Sequence, residues 1–419
     1  MRNTFLSFSP PLIGQEELDE VLDTLRSDWI TTGPKTKRFE QEFAQFIGAP
    51  AALAVSSATD AMLVGLAALG IGAGDEVITT PMTFCSTVHV IEHLGARPVL
   101  VDVEPDTLNI DPAQVERAIT PRTRAIMPVH LYGHPCEMDA LLDLAAKNHL
   151  HVLEDAAHAL PAKYKGRMIG SPPTPTSNIQ SPTSNLTAFS FYATKNLTTA
   201  EGGMLTGAPD LIEKARVWSL HGMSRDAYKR YSAEGSWFYE VILPGFKCNM
   251  TDIQASLGLQ QLKKLPRFQE RRREIVRRYN EAFAQLEELQ TPIERPEVEH
   301  AWHLYVLRLN LERFPAIRKP VLSLSKDPKP VVSEAEPSEI RNRFIEELKN
   351  ANIGTSVHFI PVHLHPYYRD KYGFKPTDFP IAYREYQRII SLPLYPRMND
   401  QDVADVIEAV ARIVKKSRR

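Results

Sequence analysis

The chain has 419 residues, of which 43% are hydrophobic and 24% are charged, fractions close to those of ordinary globular proteins. This composition excludes disorder as the main state, and the length has room for two or three domains. Its 49 basic and 51 acidic side chains give a net charge of −2. No overall basic field is therefore present to hold a nucleic acid through its phosphates.

The three cysteines, Cys85, Cys136 and Cys248, lie far apart and show no CxxC spacing. A sparse, odd-numbered set is typical of a reducing compartment and argues against a disulfide framework and a zinc site. The first residues contain no apolar run long enough for a signal peptide. The longest apolar stretch, 61–69, is roughly half of what spans a bilayer. We therefore expect a cytoplasmic protein that binds neither metal nor membrane.

From about residue 14 to 206, helical and strand patterns alternate along the chain. Apolar residues at three-to-four spacing predict helices over 16–26 and 37–47. Short β-rich runs then alternate with helical patterns, from AALAV at residue 51 to LHVLED ending at residue 155. This alternation is typical of βαβ units and predicts a mostly parallel sheet. Because such sheets bind ligands beyond the carboxyl ends of their strands, the residues that follow each strand are the candidates for a site.

Two stretches, 171–185 and 317–337, are rich in Pro and Ser and poor in apolar residues, so they are predicted to be solvated surface insertions. A helical segment over 251–283, interrupted near Pro266, leads into the last part of the chain. We expect a large domain over 1–265, which contains the first insertion, and a smaller C-terminal domain over 266–419, which contains the second.

Two of the candidate segments contain groups that would bind a charged part of a ligand. Ser56, Ser57, Ala58 and Thr59 follow a strand and open a helix, so they form either an anion site or an ordinary N-cap. Asp155 ends a strand, where its carboxylate either serves a ligand or caps the following turn.

The other two pieces are an amine and an aromatic ring. Lys195 follows the run AFSFY, and desolvation there would make it a usable nucleophile for a carbonyl group, although a structural lysine is the alternative. Phe84 is either a core residue or a surface on which a flat ring stacks. Together, a phosphate site, a stacking ring, a carboxylate for a pyridinium nitrogen and an amine for an aldehyde match pyridoxal 5′-phosphate (PLP).

Many ordered motifs resemble the DegT/DnrJ/StrS family of sugar aminotransferases from about residue 8 to 414, the two insertions excepted. They include WITTGPKTKRFEQEFAQFIGA, SSATDAML, GDEVITTPMTF, PVHLYGHPCEMD, EDAAHA, SFYATKNLTTAEGG, HGMSRD, GFKCNMTDIQASLGLQQL, VHFIPVH and SLPLYP. The resemblance implies the fold-type I PLP-transferase fold, related to aspartate aminotransferase, with a seven-stranded sheet and a smaller α+β C-terminal domain. It also implies a homodimer with shared active sites that moves an amino group from glutamate to a nucleotide-linked keto sugar, for amino-sugar or cell-surface polysaccharide biosynthesis.

The resemblance also assigns roles to residues. It places Lys195 on the cofactor aldehyde, Asp155 at the pyridine nitrogen, His158 beside the phenolic oxygen and Phe84 on the ring. It places the phosphate on Ser57, Ala58, Thr59 and Ser190. Lys247 or Asn249, in a segment that reaches the neighbouring subunit's site, would add a further cofactor contact. Weaker assignments to the sugar nucleotide fall on Thr32, Gly33, His221 and His358.

Two other functions fit the same fold. Some relatives are PLP-dependent dehydratases of nucleotide sugars, but they have His where this chain has Lys195, so the lysine favours transamination. A non-enzymatic regulatory role is the second alternative, and the complete set of cofactor residues argues against it. The stretch 171–185 is inserted relative to the family, and it would disturb the site only if it displaced the strand that leads to Lys195.

Overall fold

A computed structural model describes residues 2–172, 185–223, 238–314, 318–321, 331–334 and 337–418. The chain forms two compact units. The larger contains Pro11–Gln269 and Glu294–His303, and the smaller contains Met1–Pro10, Glu270–Ile293 and Leu304–Arg419.

The main boundary lies at residue 269 instead of the expected 265, and two segments depart from a simple division of the chain. The first ten residues belong to the smaller unit, where the Leu6 N–H donates to the Asn352 carbonyl at 2.8 Å. The segment Glu294–His303 returns to the larger unit, where the Arg295 guanidinium pairs with Glu104 and Asp106 at 3.1 and 2.9 Å. Both exceptions depend on contacts between residues far apart in sequence, which no composition change marks.

The larger unit is built on a seven-stranded sheet in the order β1-β9-β8-β5-β4-β2-β3. Strand β9 is antiparallel to both of its neighbours, and the other described pairings are parallel, so the expected mostly parallel sheet is confirmed. Its strands are β1 (Ala51–Val55), β2 (Glu76–Thr79), β3 (Arg97–Leu100), β4 (Thr123–Ile126), β5 (His151–Asp155), β8 (Asn185–Ser190) and β9 (Gly203–Gly207). A small separate sheet joins β6 (Lys163–Tyr164), β7 (Arg167–Met168) and β11 (Val298–Glu299).

Helices cover both faces of the large sheet. They are α1 (Gln15–Arg26), α2 (Pro34–Ile47), α3 (Ala58–Ala68), α4 (Ser86–His93), α5 (Pro112–Ala118), α6 (Met138–Asn148), α7 (Pro209–Ser219) and α8 (Asp252–Phe283). Successive strand residues enter opposite cores: Leu53 packs in the core that contains α3 and α7, and Ala54 in the core that contains α2 and α6. Alternation of side chains across a strand makes this two-sided burial possible.

Helix α8 corrects one expectation. It runs through Pro266 without the predicted interruption, because Leu262, Leu265 and Phe268 around the proline are buried and hold the flanking turns. Leu262 also packs with Leu259 in the core of their own unit, so this part of the apolar face of α8 is buried within the chain itself.

The smaller unit contains the antiparallel sheet β10-β12-β15, formed by Leu289–Gln290, Tyr305–Leu309 and Ile389–Leu392. Its helices are α9 (Pro337–Asn350), α10 (Pro366–Tyr372), α11 (Pro380–Tyr386) and α12 (Asp400–Ser417). Within the predicted insertion 317–337, β13 (Arg318–Val321) pairs with β14 (Val331–Glu334) as a two-stranded ladder. Across the ranges described, no helix combines the length and the apolar content needed to cross a membrane.

The other predicted insertion lies mostly outside the described residues, which omit 173–184. Its flanks both meet strand β9: the Gly170 carbonyl accepts from the Thr206 hydroxyl at 3.4 Å, and Leu186 pairs with Gly207. Strand β8 starts at Asn185 and keeps its register with β5 on one side and β9 on the other. The strand that leads to Lys195 is therefore in place.

Candidate active site

The site residues lie at the carboxyl ends of the parallel strands. Strand β9 is the element that joins two of these ends, because Gly203 pairs with Val55 at the end of β1 and with Ser190 at the end of β8. Ser57, two residues beyond β1, and Ser190 thus flank the same residue of β9. This arrangement brings two of the predicted phosphate contacts to one edge of the sheet.

Gly203, which the sequence motifs did not single out as a site residue, is sterically required at this edge. A Cβ atom there would lie 2.4 Å from the carbonyl carbon of Ser57 and 2.6 Å from the nitrogen of Ala58. Real Cβ atoms do not approach backbone that closely, so only glycine lets β9 pass under the start of α3. The paired glycines of the motif AEGG were the available signal.

The structure shows the N-cap interpretation of Ser57, and the anion site stays a prediction. The Ser57 hydroxyl is the N-cap of α3, since it accepts from the Asp60 N–H at 3.0 Å and donates to the Asp60 carboxylate at 2.8 Å. The first N–H groups of a helix have no carbonyl four residues before them inside the helix. Those of Ala58 and Thr59 are therefore suited to an anion, which the positive end of the helix dipole also favours.

Asp155 ends β5 with its side chain buried. One carboxylate oxygen accepts from the Thr87 hydroxyl at 2.8 Å, and the other accepts from the Ala157 N–H at 3.1 Å. Burial raises the pKa of this carboxyl group, while the two hydrogen bonds and the charge of Lys195 act in the opposite direction. Because a carboxylate has about four acceptor positions, Asp155 can accept a further hydrogen bond from an N–H group of a ligand. Thr87, on the first turn of α4, was not predicted.

Lys195 follows β8 in a turn closed by its own N–H, which donates to the Tyr192 carbonyl at 2.9 Å. Burial lowers the pKa of the Lys195 ammonium from 10.5 to about 8, and the negative charge of Asp155 opposes this shift. A lysine with this pKa is deprotonated far more often near neutrality than an ordinary lysine, which makes it a better nucleophile toward an aldehyde.

Two rings complete the predicted cofactor set. The Phe84 side chain is 57% exposed at the start of α4, so it is not the core residue of the alternative interpretation. The His158 ring is buried, and its Nδ1 accepts from the Tyr132 N–H at 3.2 Å. Since Nδ1 is an acceptor, neutral His158 carries its proton on Nε2 and presents a donor there.

A second group of predicted residues lies beside β1. Asn249 forms a bridge with Val55, and its side-chain amide donates to the Thr32 hydroxyl at 2.6 Å. The exposed Lys247 ammonium donates to the side-chain oxygen Oδ1 of Asn249, and the Lys247 backbone forms a bridge with Leu220. In this chain the segment 245–249 therefore runs along the edge of its own sheet.

The remaining weak candidates are Gly33, His221 and His358. The Gly33 N–H donates to the Asp252 carboxylate at 2.8 Å, and the His221 N–H donates to the Phe246 carbonyl at 2.7 Å. Both belong to the larger unit. His358 belongs to the smaller unit, where its Nδ1 lies 2.8 Å from the Ser391 hydroxyl.

The residues at this edge fit PLP by their chemistry. A helix N-terminus with adjacent hydroxyls suits a phosphate dianion, and an exposed aromatic side chain suits a flat ring. A buried carboxylate with spare acceptor capacity suits a pyridinium N–H, and an amine with a lowered pKa suits an aldehyde. The fold and the site together are those of a fold-type I PLP-dependent enzyme.

Comparison with known proteins identifies the family. The sequence model of the DegT/DnrJ/EryC1/StrS aminotransferase family matches residues 11–327 and 327–411, and the chain belongs to this family. It is 52% identical over 415 residues to the spore coat polysaccharide biosynthesis protein SpsC of Bacillus subtilis (strain 168), covering 99% of this chain and 98% of that protein. The protein is accordingly a PLP-dependent aminotransferase, as the sequence predicted.

Solved structures agree with this assignment. The putative sugar aminotransferase Spr1654 from Streptococcus pneumoniae, in its PLP form, is 36% identical with a TM-score of 0.83, and 99% of each chain is covered. The same protein in its PMP form gives a TM-score of 0.84 at 36% identity, covering 98% of this chain and 100% of that one. Helicobacter pylori PseC, an aminotransferase of pseudoaminic acid biosynthesis, is 26% identical with a TM-score of 0.83, covering 99% of this chain and 100% of that one.

Proposed function

We propose that this enzyme transfers the amino group of glutamate to a nucleotide-linked keto sugar, for the synthesis of an amino sugar used in a cell-surface polysaccharide. The observation that carries the proposal is that Lys195 and Asp155 interact electrostatically at the sheet edge where α3 begins. The names of two relatives, which refer to spore coat polysaccharide and to pseudoaminic acid, support the class of product. The two forms of Spr1654 support a cycle in which the cofactor takes up and gives away an amino group.

When bound, PLP supplies an electron sink for the negative charge that forms when a proton leaves the carbon bearing the amino group. The chain's own residues make this possible. Asp155 holds the proton on the ring nitrogen through a charge-assisted hydrogen bond. Lys195 would hold the cofactor through its aldehyde, and its amine, with a lowered pKa, would serve as the base that accepts and returns the proton.

The nucleotide-linked substrate is supported by the group beside β1. Lys247 contributes an exposed cation, and Asn249 and Thr32 contribute hydrogen-bonding side chains next to the strand that leads to Ser57. Lys247 and Asn249 are the proposed cofactor contacts, and Thr32, which is hydrogen-bonded to Asn249, is proposed to line the sugar nucleotide beside them. Gly33 and His221 lie in the same unit and are proposed to line the same substrate.

The homodimer is also part of the proposal. Helix α1 exposes Leu18, Leu22 and Leu25, at four- and three-residue spacing and with 52%, 46% and 53% of their area accessible. Such a stripe on one helix face suits a second copy of this chain. Leu22→Asp should convert the dimer to a monomer by light scattering, and an unchanged dimer would contradict the assignment of this face.

The free thiols of Cys85, Cys136 and Cys248 suit a reducing compartment such as the cytoplasm.

The test follows the amino group through both halves of the reaction. Purified protein loaded with PLP should lose its visible absorbance with glutamate and regain it with a nucleotide-linked keto sugar, which becomes an amino sugar detectable by mass spectrometry. Lys195→Ala should abolish both changes, and Lys263→Ala on the exposed side of α8 should not. The same keto sugar without its nucleotide should react poorly.

Two outcomes would support the alternatives instead. A deoxygenated sugar without an amino group would identify a dehydratase, a reaction that Lys195 argues against. Protein that takes up no PLP at all would leave a regulatory role, which the complete set of cofactor residues argues against.

A further inference from the structure

A buried asparagine connects the loop of Lys195 to two distant segments. Asn196 follows Lys195, and its side-chain NH₂ donates to the Leu160 carbonyl at 2.9 Å and to the Ala301 carbonyl at 2.8 Å. These two carbonyls determine the orientation of the amide, so its oxygen is the acceptor. That oxygen lies 3.2 Å from His303 Nδ1, which is therefore the protonated nitrogen of the His303 ring.

His303 in turn contacts the proposed cofactor residue His158. The two ring centroids are 4.5 Å apart, with the ring planes at 38°. Both rings are buried, and His158 Nδ1 is already occupied by the Tyr132 N–H. The His158 ring is thus held at one nitrogen by the backbone and on one face by an imidazole that Asn196 orients.

The backbone closes this network. The His303 N–H donates to the Tyr132 carbonyl at 3.1 Å, and the Ala301 N–H donates to the Gly133 carbonyl at 2.9 Å. Gly133 has a φ of +103°, and a Cβ atom there would lie 2.9 Å from the His158 carbonyl oxygen and 3.0 Å from the Ala301 Cβ. Four segments, around residues 132, 158, 196 and 302, therefore fix one another.

From this network we propose that Asn196 and His303 are positioning residues of the aminotransferase. They hold His158 in its Nε2–H form and in one orientation, so that Nε2–H donates to the phenolic oxygen of PLP. The inference rests on the proposed contact of His158 with the cofactor. Neither Asn196 nor His303 needs to touch the reacting atoms, and the segment Glu294–His303 returns to the larger unit to supply this support.

The first measurement needs no cofactor. Nitrogen-15 histidine spectra of the apoprotein, with the His158 signals assigned by their loss in His158→Gln, should show a single Nε2–H tautomer. In Asn196→Ala the two tautomers should mix. His303→Phe keeps a ring against His158 but loses the bond to Asn196, so it should show intermediate mixing even if Asn196→Ala fails to fold. Asn148→Ala on α6, which removes an amide bonded only to the Leu144 carbonyl among the described partners, is the matched control.

The second measurement uses the PLP-loaded enzyme. In both network variants the pH at which the visible absorbance of bound PLP titrates should rise, because the phenolic oxygen loses a hydrogen-bond donor. The kcat should fall at least about ten-fold with less than a three-fold change in KM for the keto sugar. Folded variants with a single His158 tautomer and an unshifted titration would overturn the inference. If His158→Gln itself leaves the titration unshifted, the proposed cofactor contact of His158 is wrong, whereas the tautomer result still decides whether the network positions the ring.

Discussion

Asp155 ends β5, Lys195 follows the adjacent parallel strand β8, and each of the two residues shifts the pKa of the other. Asp155 pairs in register with Ala188 of β8, and Lys195 follows that same strand. The Asp155 carboxylate raises the pKa of Lys195 against burial, and the Lys195 ammonium lowers the pKa of Asp155 against burial. When PLP is bound, its ring nitrogen would become the partner of Asp155, and its aldehyde would bind the Lys195 amine.

Removal of the Asp155 carboxylate should separate binding from catalysis. We expect Asp155→Ala to retain PLP through its phosphate but to lose transamination by orders of magnitude, because the ring nitrogen no longer keeps its proton. Equilibrium dialysis with PLP and single-turnover absorbance with glutamate measure the two properties. Thr87→Val, which removes one hydrogen bond to Asp155, should lower the same rate to a smaller extent. An Asp155→Ala enzyme with near-normal turnover would show that another residue protonates the ring.

The lowered pKa of Lys195 predicts how capture of the cofactor depends on pH. Only the neutral amine attacks the aldehyde, so the rate at which apoprotein captures PLP should rise about ten-fold per pH unit below a pKa of about 8 and level off above it. Stopped-flow absorbance measures this rate, with Lys195→Ala as the blank. A profile that keeps rising toward pH 10 would mean that Lys195 behaves as an ordinary exposed lysine.

The lowered pKa of Lys195 also predicts how the free energy of unfolding changes with pH. The folded-state pKa of about 8 lies below the ordinary value of 10.5, so the unfolded chain binds this proton more tightly. The contribution of Lys195 to the free energy of unfolding should therefore increase as the pH rises from about 8 to 10.5. Comparing the unfolding free energies of wild type and Lys195→Met across this range isolates the effect.

Gly203→Ala should damage the phosphate site through the backbone. The added methyl group would meet the Ser57 carbonyl at 2.4 Å, and overpacking of this kind costs about 1–3 kcal/mol in the free energy of unfolding. Because α3 must shift, the affinity for PLP should fall more than that for pyridoxal, which lacks the phosphate. Gly72→Ala, whose methyl group would meet the Leu94 carbonyl oxygen only at 3.9 Å, is the control. Equal losses for both ligands would argue against a phosphate site at this helix start.

The insertion between β7 and β8 should be dispensable for cofactor binding. Replacing residues 173–184 by a two- or three-residue turn keeps Asn185, whose side chain donates to Glu154 at 2.9 Å. Since Gly170 and Leu186 both contact β9, a short turn should join them, with a small stability gain from the shorter loop. PLP uptake and thermal unfolding measure the outcome. Loss of turnover with PLP still bound would instead assign the insertion to the substrate site.

The sequence by itself determined the elements and the central chemistry of this protein. Local periodicity predicts the alternating strands and helices from α1 to β5, because it reflects which side of a short segment is buried, but it did not predict β9, α7 or the small sheet of β6, β7 and β11. Residue types left Lys195 and Asp155 open to a structural role, and the complete set of cofactor groups together with the family resemblance selected them. Residue types alone left Ser57 undecided between N-cap and anion site, and the structure shows the N-cap.

Only the tertiary structure decided the contacts between distant segments. Thr87 and Asp155 meet because β2 and β5 end at the same edge of the sheet. Gly203 must be glycine because β9 passes under α3. His303 reaches His158 because the segment Glu294–His303 returns to the larger unit. The same holds for Leu262 on α8, whose helical spacing shows that it is buried without showing against what. Periodicity reports the environment of one segment, whereas the identity of its partner depends on register and topology across the whole chain.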